Sequence, residues 1–467
     1  MAGRVGAVLE AVRVVADRPD PTAPLGVGEI ARTLGRSLSA TSRMCAELER
    51  LDLLERAETY GAYRLGAGAV ALSGRAAAPL ARTMRYALTL AAQQTGETAL
   101  LATPSPSGVV VTAAVESLWT LHSPAEVGER VADPRSAIAR AADPLTHADE
   151  EGLVESTIGM SVEIASTVTA PTGDCIAVLA VRLPVNRREQ NGVRARRAVV
   201  AARRTLETAL EQWLTAPPTA APGIDPARPT GVEAALRLLH HLADRADTVA
   251  GAAAATGLRV DRAQRLLDGC REAGLVVAGD DGGLLQVSWS VHGWYRAAGI
   301  PTMIARGKPL VAEAAHRTLT CGFITVLKGM RSFTIVEELE MAGEGLKMAS
   351  WLGRAHPMIG SDGGPALVMD FTPDELTVLF PARNTAQELS MFLDRVRRTV
   401  RDDVLSMEAF EDAGIVSISA PVRDASGTVA GAVCLVGTTA YMYARLPEFE
   451  AEARALAARV SRELLPR

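Results

Sequence analysis

The stretch VGEIARTLGRSLSATSRMCAELERLDLL, residues 27–54, decides the reading of this chain. Val27, Ile30, Ala31 and Leu34 recur at the spacing of one helical face, and Gly35 then supplies the conformational freedom of a tight turn. A second helix follows, with Ser39 as its expected N-cap and Met44, Leu48 and Leu51 turned inward. Two short helices across a glycine turn make a helix-turn-helix. Its outer face is expected to carry Ser39, Thr41, Ser42 and Arg43, short polar groups and one guanidinium near the helix start, where base edges of a major groove are read. Arg36 and Ser37 fall in the turn, in reach of phosphate. Downstream, Leu53 to Arg56 and Tyr63 to Gly66 read as two strands around a tip at Tyr60-Gly61-Ala62, a wing bearing Arg56 and Arg64. The plainer alternative is a helical hairpin used only for packing, since helix pairs joined at glycine are common.

Working outward, the pattern returns. Ala-Asp-Arg-Pro-Asp at Ala16 to Asp20 reappears as Ala-Asp-Arg-Ala-Asp at Ala243 to Asp247, and Val27 to Leu54 aligns with Val249 to Val276. Arg43 and Arg265 are 222 residues apart, whereas the matched glycines Gly173 and Gly427 are 254 apart, so the second copy holds 32 residues that the first lacks. A repeat of this length is a duplicated domain pair. Between the copies, 216–229 reads APPTAAPGIDPARP, proline and small residues without apolar period, as expected of a linker. Each copy opens with short helical patterns, passes into β-branched runs such as Gly108 to Val115 and Thr428 to Val436, and closes on a long helical pattern. The fold class is therefore α+β, with sheets covered by terminal helices.

Composition narrows the function. At 467 residues, 48% hydrophobic and 22% charged, the chain can bury several independent cores. Five cysteines, scattered and without a C-x-x-C pair, point to a reducing cytoplasm and away from disulfides or a structural zinc. There is no run of 18 apolar residues and no signal-type apolar segment. A net charge of −5 means that any contact with nucleic acid must come from locally placed arginines. Neither a G-x-S-x-G elbow, a P-loop nor an H-E-x-x-H is present, so an enzyme is not expected, and no cofactor or metal is implied.

Further motifs sharpen the picture. Tyr63-Arg64-Leu65-Gly66, Pro79-Leu80 and Thr95-Gly96-Glu97-Thr98 follow the helix-turn-helix in the first copy. The second copy carries Gly353 to Pro357, Ser361 to Ala366, Ala413-Gly414, Ala420-Pro421-Val422 and Asp424 to Gly427. In this order they resemble the IclR family, isocitrate-lyase-regulator-type transcription factors with an N-terminal winged helix and a C-terminal effector domain of GAF-like form. The resemblance runs twice along nearly the whole chain. It implies winged helices at 1–66 and 230–290 and effector domains at 67–215 and 291–467, the first one truncated. Departures exist: Pro365 stands where the family usually has lysine, and the first effector domain keeps only Ser136 to Ala141 of that element. The missing residues correspond roughly to Thr372 through Val404.

By this resemblance the protein is expected to be a ligand-responsive regulator, a repressor by family habit. It would bind a double-stranded DNA operator and a small effector, often a carboxylate or aromatic acid in this family, and act as a cytoplasmic homodimer. A sensing or interaction module that uses its helix-turn-helix units only for dimerisation is the competing reading. Effector-lining positions carry over to Met348, His356, Asp362, Gly363, Ser417, Cys434 and Val436. Each has a plainer role available: a histidine before proline as a structural residue, Asp362 as an Asx-turn, Cys434 as a small core side chain. In the second winged helix, Asp261 replaces Ser39 and the wing carries Asp280 and Asp281, which would repel phosphate. Asp261 would also serve as an N-cap, and Arg259, Arg262 and Arg265 remain on that helix. The family's winged helices pair through their first helices, so these helices of the two copies are expected to meet within one chain.

Overall fold

In the first helix, α1 (Ala2–Ala16), Val8, Leu9, Val12 and Val15 are all buried, each contributing about 1.5–3 kcal/mol of apolar burial. A computed structural model of the chain describes residues 2–171, 173–215, 229–278, 283–339, 348–380, 384–408 and 414–465. After α1 come β1 (Leu25–Gly26), α2 (Val27–Thr33), α3 (Leu38–Arg50), β2 (Leu54–Arg56) and β3 (Ala62–Leu65), whose strands form a small sheet in the order β1-β3-β2. Gly35, at φ +62°, makes the turn between α2 and α3 in a conformation that a side chain would strain.

The long helix α4 (Ala67–Thr95) leads into β4 (Thr98–Ser105), β5 (Gly108–Val115) and β6 (Arg130–Val131). The short α5 (Ala137–Ala141), β7 (Leu153–Ile158), β8 (Ser161–Thr169), β9 (Cys175–Pro184) and α6 (Arg188–Thr215) follow. The sheet is antiparallel, in the order β6-β5-β4-β9-β8-β7. Alternation along the strands sends Leu101, Ile164, Leu179 and Val181 to the face covered by α4 and α6, and Leu100, Ala165, Val178 and Ala180 to the face covered by α5.

The element order then repeats. α7 (Gly231–Asp244), α8 (Val249–Thr256), α9 (Val260–Glu272), β10 (Val276–Ala278) and β11 (Leu285–Val287) form a second winged-helix pattern, with an isolated bridge between Asp247 and Leu285 where β1 pairs with β3 in the first. Most of the linker stretch 216–229, and the wing residues Asp280 and Asp281, lie outside the described residues. Helices α1, α2, α3, α7, α8 and α9 contribute to one apolar core. Its packing differs from the expected meeting of first helices: α1 touches α7 but lies chiefly along α9, and α7 lies along α4. The cause is a small-residue crossing. A Cβ on Gly6 would come within 2.9 Å of the Gly269 carbonyl, so only glycine permits this approach, and Gly269 stands where α3 has Glu47.

By contact the chain divides into two units, Met1–Ala298 and Gly299–Arg467. Into the second unit run α10 (Trp294–Thr302), a π-helical turn at Met303–Gly307 and α11 (Lys308–Thr318). Then come β12 (Cys321–Lys328), β13 (Arg331–Glu338), β14 (Ala355–Pro357), α12 (Gly364–Leu367), α13 (Pro373–Leu379) and α14 (Ala386–Asp402). The unit ends on β15 (Leu405–Glu408), β16 (Ile415–Arg423), β17 (Val429–Thr438), α15 (Thr439–Tyr443) and α16 (Leu446–Leu464). Its sheet order, β14-β13-β12-β17-β16-β15, is that of the first sheet, strand for strand. The extra residues of this copy are α13 and α14, each started by a Thr/Glu capping box (Thr372 with Glu375, Thr385 with Glu388). Phe392 on α14 is fully buried and meets Phe380 edge-on at 5.0 Å. In the first sheet's copy, α5 is followed directly by β7.

Candidate nucleic-acid interface and sensor face

Helix α3 starts two residues earlier than its sequence suggests. Ser37, not Ser39, is the N-cap: its backbone is extended (φ −69°, ψ 147°) and its Oγ accepts a hydrogen bond from the Ala40 amide at 3.3 Å. Ser37 thus serves the helix end. Ser39 lies inside the first turn, exposed. The buried stripe is Thr41, Cys45 and Leu48, which corrects the outward placement of Thr41: it is fully buried and its hydroxyl donates to the Ser37 carbonyl at 3.1 Å. What remains on the solvent face is Leu38, Ser39, Ser42 and Arg43, with Arg36 just before the cap. Among the described residues neither Arg36 nor Arg43 has a carboxylate partner. Two free guanidiniums therefore flank a helix N-terminus, whose unpaired amides and dipole favour phosphate.

The wing arginines are differently placed. Arg56 holds Glu49 through two nitrogens, at 2.8 and 3.2 Å, and lies over the Tyr63 ring at 5.6 Å. Arg64 holds Glu55 at 2.6 Å. In both, a carboxylate already offsets the guanidinium charge, which weakens its attraction for phosphate relative to Arg36 and Arg43.

At the equivalent place on α9, one carboxylate stands among three arginines. The N-cap of α9 is Arg259, which offers no side-chain cap, so Asp261 is neither cap nor free. Its carboxylate lies 3.2 Å from Arg259 and 3.7 Å from Arg265. Arg262 donates to the Pro229 carbonyl at 2.9 Å, at the entry of α7. All three arginines that the sequence offers for this helix are engaged.

The two large sheets differ in the same complementary way. In the second, alternation along β16 and β17 sends Ser417, Ser419, Ala432, Cys434 and Val436 to the face under α12, and Val416, Ile418, Val433 and Leu435 to the opposite core with α16. Gly363 presses α12 onto this face, where a Cβ would meet Thr325 Oγ1 at 2.6 Å. Met348 and Trp351 pack on Cys434, Val436 and Phe323, and His356 meets the Trp351 ring edge-on at 4.3 Å. Burial, with the nearby Asp362 carboxylate, pushes the Cys434 thiol far above its ordinary range, which leaves it protonated and unreactive. The seven positions drawn from the resemblance thus fall around one sheet face. Sequence reading missed Thr325, Ser419 and Trp351 beside them. Ser419 is the most telling: its hydroxyl is buried with no hydrogen-bond partner among the described residues, a costly arrangement unless something polar meets it. Ser417 and Ser419, two apart on an otherwise apolar strand, carried that signal.

In the first sheet the equivalent face is filled. Glu163 and Arg182 hold the register of Ser417 and Val436, and they pair at 3.0 Å. Arg182 also reaches Glu129 at 3.1 Å and the Pro124 carbonyl at 2.9 Å, and Ser136, the N-cap of α5, donates to Glu163. Ala102, Ala165 and Ala180 take the places of Thr325, Ser419 and Cys434. Among the described residues no group of His, Cys, Asp and Glu is arranged to hold a metal ion, and no helix is long and apolar enough to cross a membrane.

Comparison with known proteins follows these lines. Residues 7–58 match the IclR helix-turn-helix domain, and residues 303–462 match the family described as bacterial transcriptional regulator IclR C-terminal. No curated protein matches the chain. Among solved structures, the chain is similar to an IclR-family regulator from Rhodococcus sp., at 18% identity over 52% of this chain and 99% of that one, with a TM-score of 0.39. It is similar also to HmgR of Pseudomonas aeruginosa (18% identity, 50% and 96% covered, TM-score 0.36) and to the repressor BlcR of Agobacterium tumefaciens (21%, 51% and 98%, 0.34). With a helix-turn-helix and an effector-type C-terminal domain both matched, the chain belongs to the IclR family of DNA-binding transcription regulators.

Proposed function

We propose that the chain is a tandem duplication of the IclR unit in which the two copies have divided the work: the first copy reads DNA and the second senses a small molecule. The observation that carries this is the opposite state of equivalent positions. Arg43 is free where its equivalent Arg265 shares the Asp261 carboxylate with Arg259, and a hydroxyl-lined face in the second sheet stands where an ion pair fills the first. The domains would be winged helices at 1–66 and 230–290 and GAF-like effector domains at 67–215 and 291–467. Arg43, Ser39 and Ser42 would contact base edges, and Arg36, with Arg56 and Arg64 after carboxylate exchange, the phosphates. Met348, His356, Asp362, Gly363, Ser417, Cys434 and Val436, joined by Thr325, Ser419 and Trp351, would line the effector site, taking a carboxylate or aromatic acid. The effector shifts DNA affinity by its differential affinity for two arrangements of the chain, and the protein acts as a cytoplasmic homodimeric repressor.

The test is fluorescence anisotropy with the DNA upstream of the protein's own gene, at several salt concentrations, followed by footprinting. Specific, salt-dependent binding that Arg43→Ala weakens supports the assignment. Binding that survives Arg43→Ala and fails in Arg265→Ala assigns the second helix instead, and no binding to any fragment favours a sensing or dimerisation module without DNA contact.

A further inference from the structure

The Ala-Asp-Arg sequence that ends both first helices has no part in DNA reading or ligand sensing as described so far. Its two aspartates nevertheless do the same thing in opposite directions. Asp17, past the end of α1, accepts a hydrogen bond at 2.8 Å from the indole nitrogen of Trp294, the first residue of α10. Asp244, the last residue of α7, pairs with Arg75 on α4. Each copy's aspartate holds the helix that leads from the other copy's winged helix toward its large sheet.

The two braces are not equal. The Asp244–Arg75 pair is exposed, with side chains more than two-fifths accessible. Asp17 and Trp294 are buried. Asp17 also holds the buried Arg13 at 2.7 Å, and Arg13 donates onward at 2.9 Å to the Gly274 carbonyl, at the turn between α9 and β10. The segment around Trp294 is embedded in the first copy from other sides too. Trp289 joins the core of the first sheet. Ser73 of α4 donates to the Val291 carbonyl at 2.6 Å and accepts from the Tyr295 amide at 3.1 Å. A Cβ on Gly293 would meet Thr112 of β5 at 3.1 Å.

We propose that Trp294–Asp17–Arg13 is the relay by which the state of the second unit reaches the DNA reader of the first copy, and that Asp244–Arg75 is a dispensable surface counterpart. The chain leaves Trp294 along α10 into the second unit, so a rearrangement there pulls on a residue that is hydrogen-bonded to Asp17, just past the end of α1. α1 packs on α3 as well as on α9, which places the reader helix one contact from the relay. The relay's regulatory meaning rests on the DNA-binding reading above; its mechanical existence does not.

Hydrogen–deuterium exchange on the full-length protein separates the two. Trp294→Phe keeps an aromatic ring and removes the indole donor. It is expected to raise exchange at least tenfold in the last turn of α1 and at Gly274-Leu275, with strands β8 and β9 unchanged, and Asp17→Asn is expected to do the same. Asp244→Asn should leave all of these unchanged. Faster exchange confined to residues 288–298, or spread into β8 and β9, overturns the relay, as does an Asp244→Asn effect equal to that of Trp294→Phe. If exchange responds as expected but Trp294→Phe leaves affinity for the upstream DNA within threefold of wild type, the contact is mechanical only and its regulatory role is refuted.

Discussion

Glu163 and Arg182 face each other across β8 and β9, 3.0 Å apart and nearly inaccessible to water, at the register where the second large sheet has Ser417 and Val436. One pair of positions therefore separates a sheet face filled by an ion pair from one lined by a hydroxyl and a valine. The physics of buried ions predicts how the filled face behaves. Removing Arg182 strands the buried Glu163 carboxylate, at a cost of about 3–5 kcal/mol, whereas removing both leaves a packing defect and a partly exposed Glu129 without its arginine. Arg182→Val alone should destabilise the first unit severely, since Glu163 would keep only Ser136. The double change Glu163→Ser with Arg182→Val, which installs the residues of the second sheet, should cost much less than the sum of the single changes. Urea unfolding of the four proteins gives the coupling directly, and additive costs would show that the pair does not hold this face together.

A second expectation concerns the reader. Arg43 stands on the open face of α3 and Arg36 beside its N-cap, both without carboxylate partners among the described residues. If Arg43 reads a base, Arg43→Ala costs about 1–3 kcal/mol and relaxes preference at one position of the site, while Arg36→Ala weakens all sequences alike and lowers the salt slope by about one. Arg56→Ala should matter less than either, because Glu49 already offsets the charge of its guanidinium. Anisotropy titrations at several salt concentrations distinguish these patterns, and a uniform effect of Arg43→Ala would move it to the phosphate class.

Much of this architecture was legible in the sequence. The glycine turn at Gly35 follows from local pattern, and the stretch expected to be additional, Thr372 through Val404, contains α13 and α14. The start of α3 was misread by a small rotation. Counting Met44, Leu48 and Leu51 as the inward stripe left out Cys45, a good apolar residue, and so turned Thr41 outward when Thr41, Cys45 and Leu48 form the buried row. Tertiary charge pairing was beyond reach for a different reason. Whether Arg259 and Arg265 are free depends on the rotamers around Asp261, and whether Glu163 meets Arg182 depends on a strand register 19 residues apart in the chain. Neither leaves a trace in periodicity.

The engaged state of the second helix is itself reversible. Asp261 lies between Arg259 and Arg265, all three well exposed, so the ion pairs are individually weak and act mainly by cancelling charge. Asp261→Ser restores the residue found at the same place in α3. It should steepen the salt dependence of DNA binding by one to two charges and lengthen the footprint, with little change in thermal stability. An unchanged salt slope would mean that the second winged helix stays away from DNA for reasons of placement and not of charge.

Acid should loosen the first unit through one histidine. His292 is buried next to Trp289, with ring centroids 5.5 Å apart, and its surroundings hold the imidazole neutral: burial first, then the nearby Arg296 charge, bring its pKa from 6.5 to about 3. The unfolded chain takes up a proton near the ordinary value and the folded chain does not, so lowering the pH favours unfolding. The stabilisation is complete above about pH 6.5 and declines by up to about 1.4 kcal/mol per pH unit until the folded histidine itself titrates. Between pH 7 and pH 5, before most carboxylates respond, the loss amounts to roughly 2 kcal/mol. His292→Phe preserves the stacking and removes the titration. Its stability should be nearly flat over this window where the wild type declines, whatever its absolute value. Parallel pH profiles for the two proteins in urea unfolding would show that His292 is already protonated, or reached by water, in the folded state.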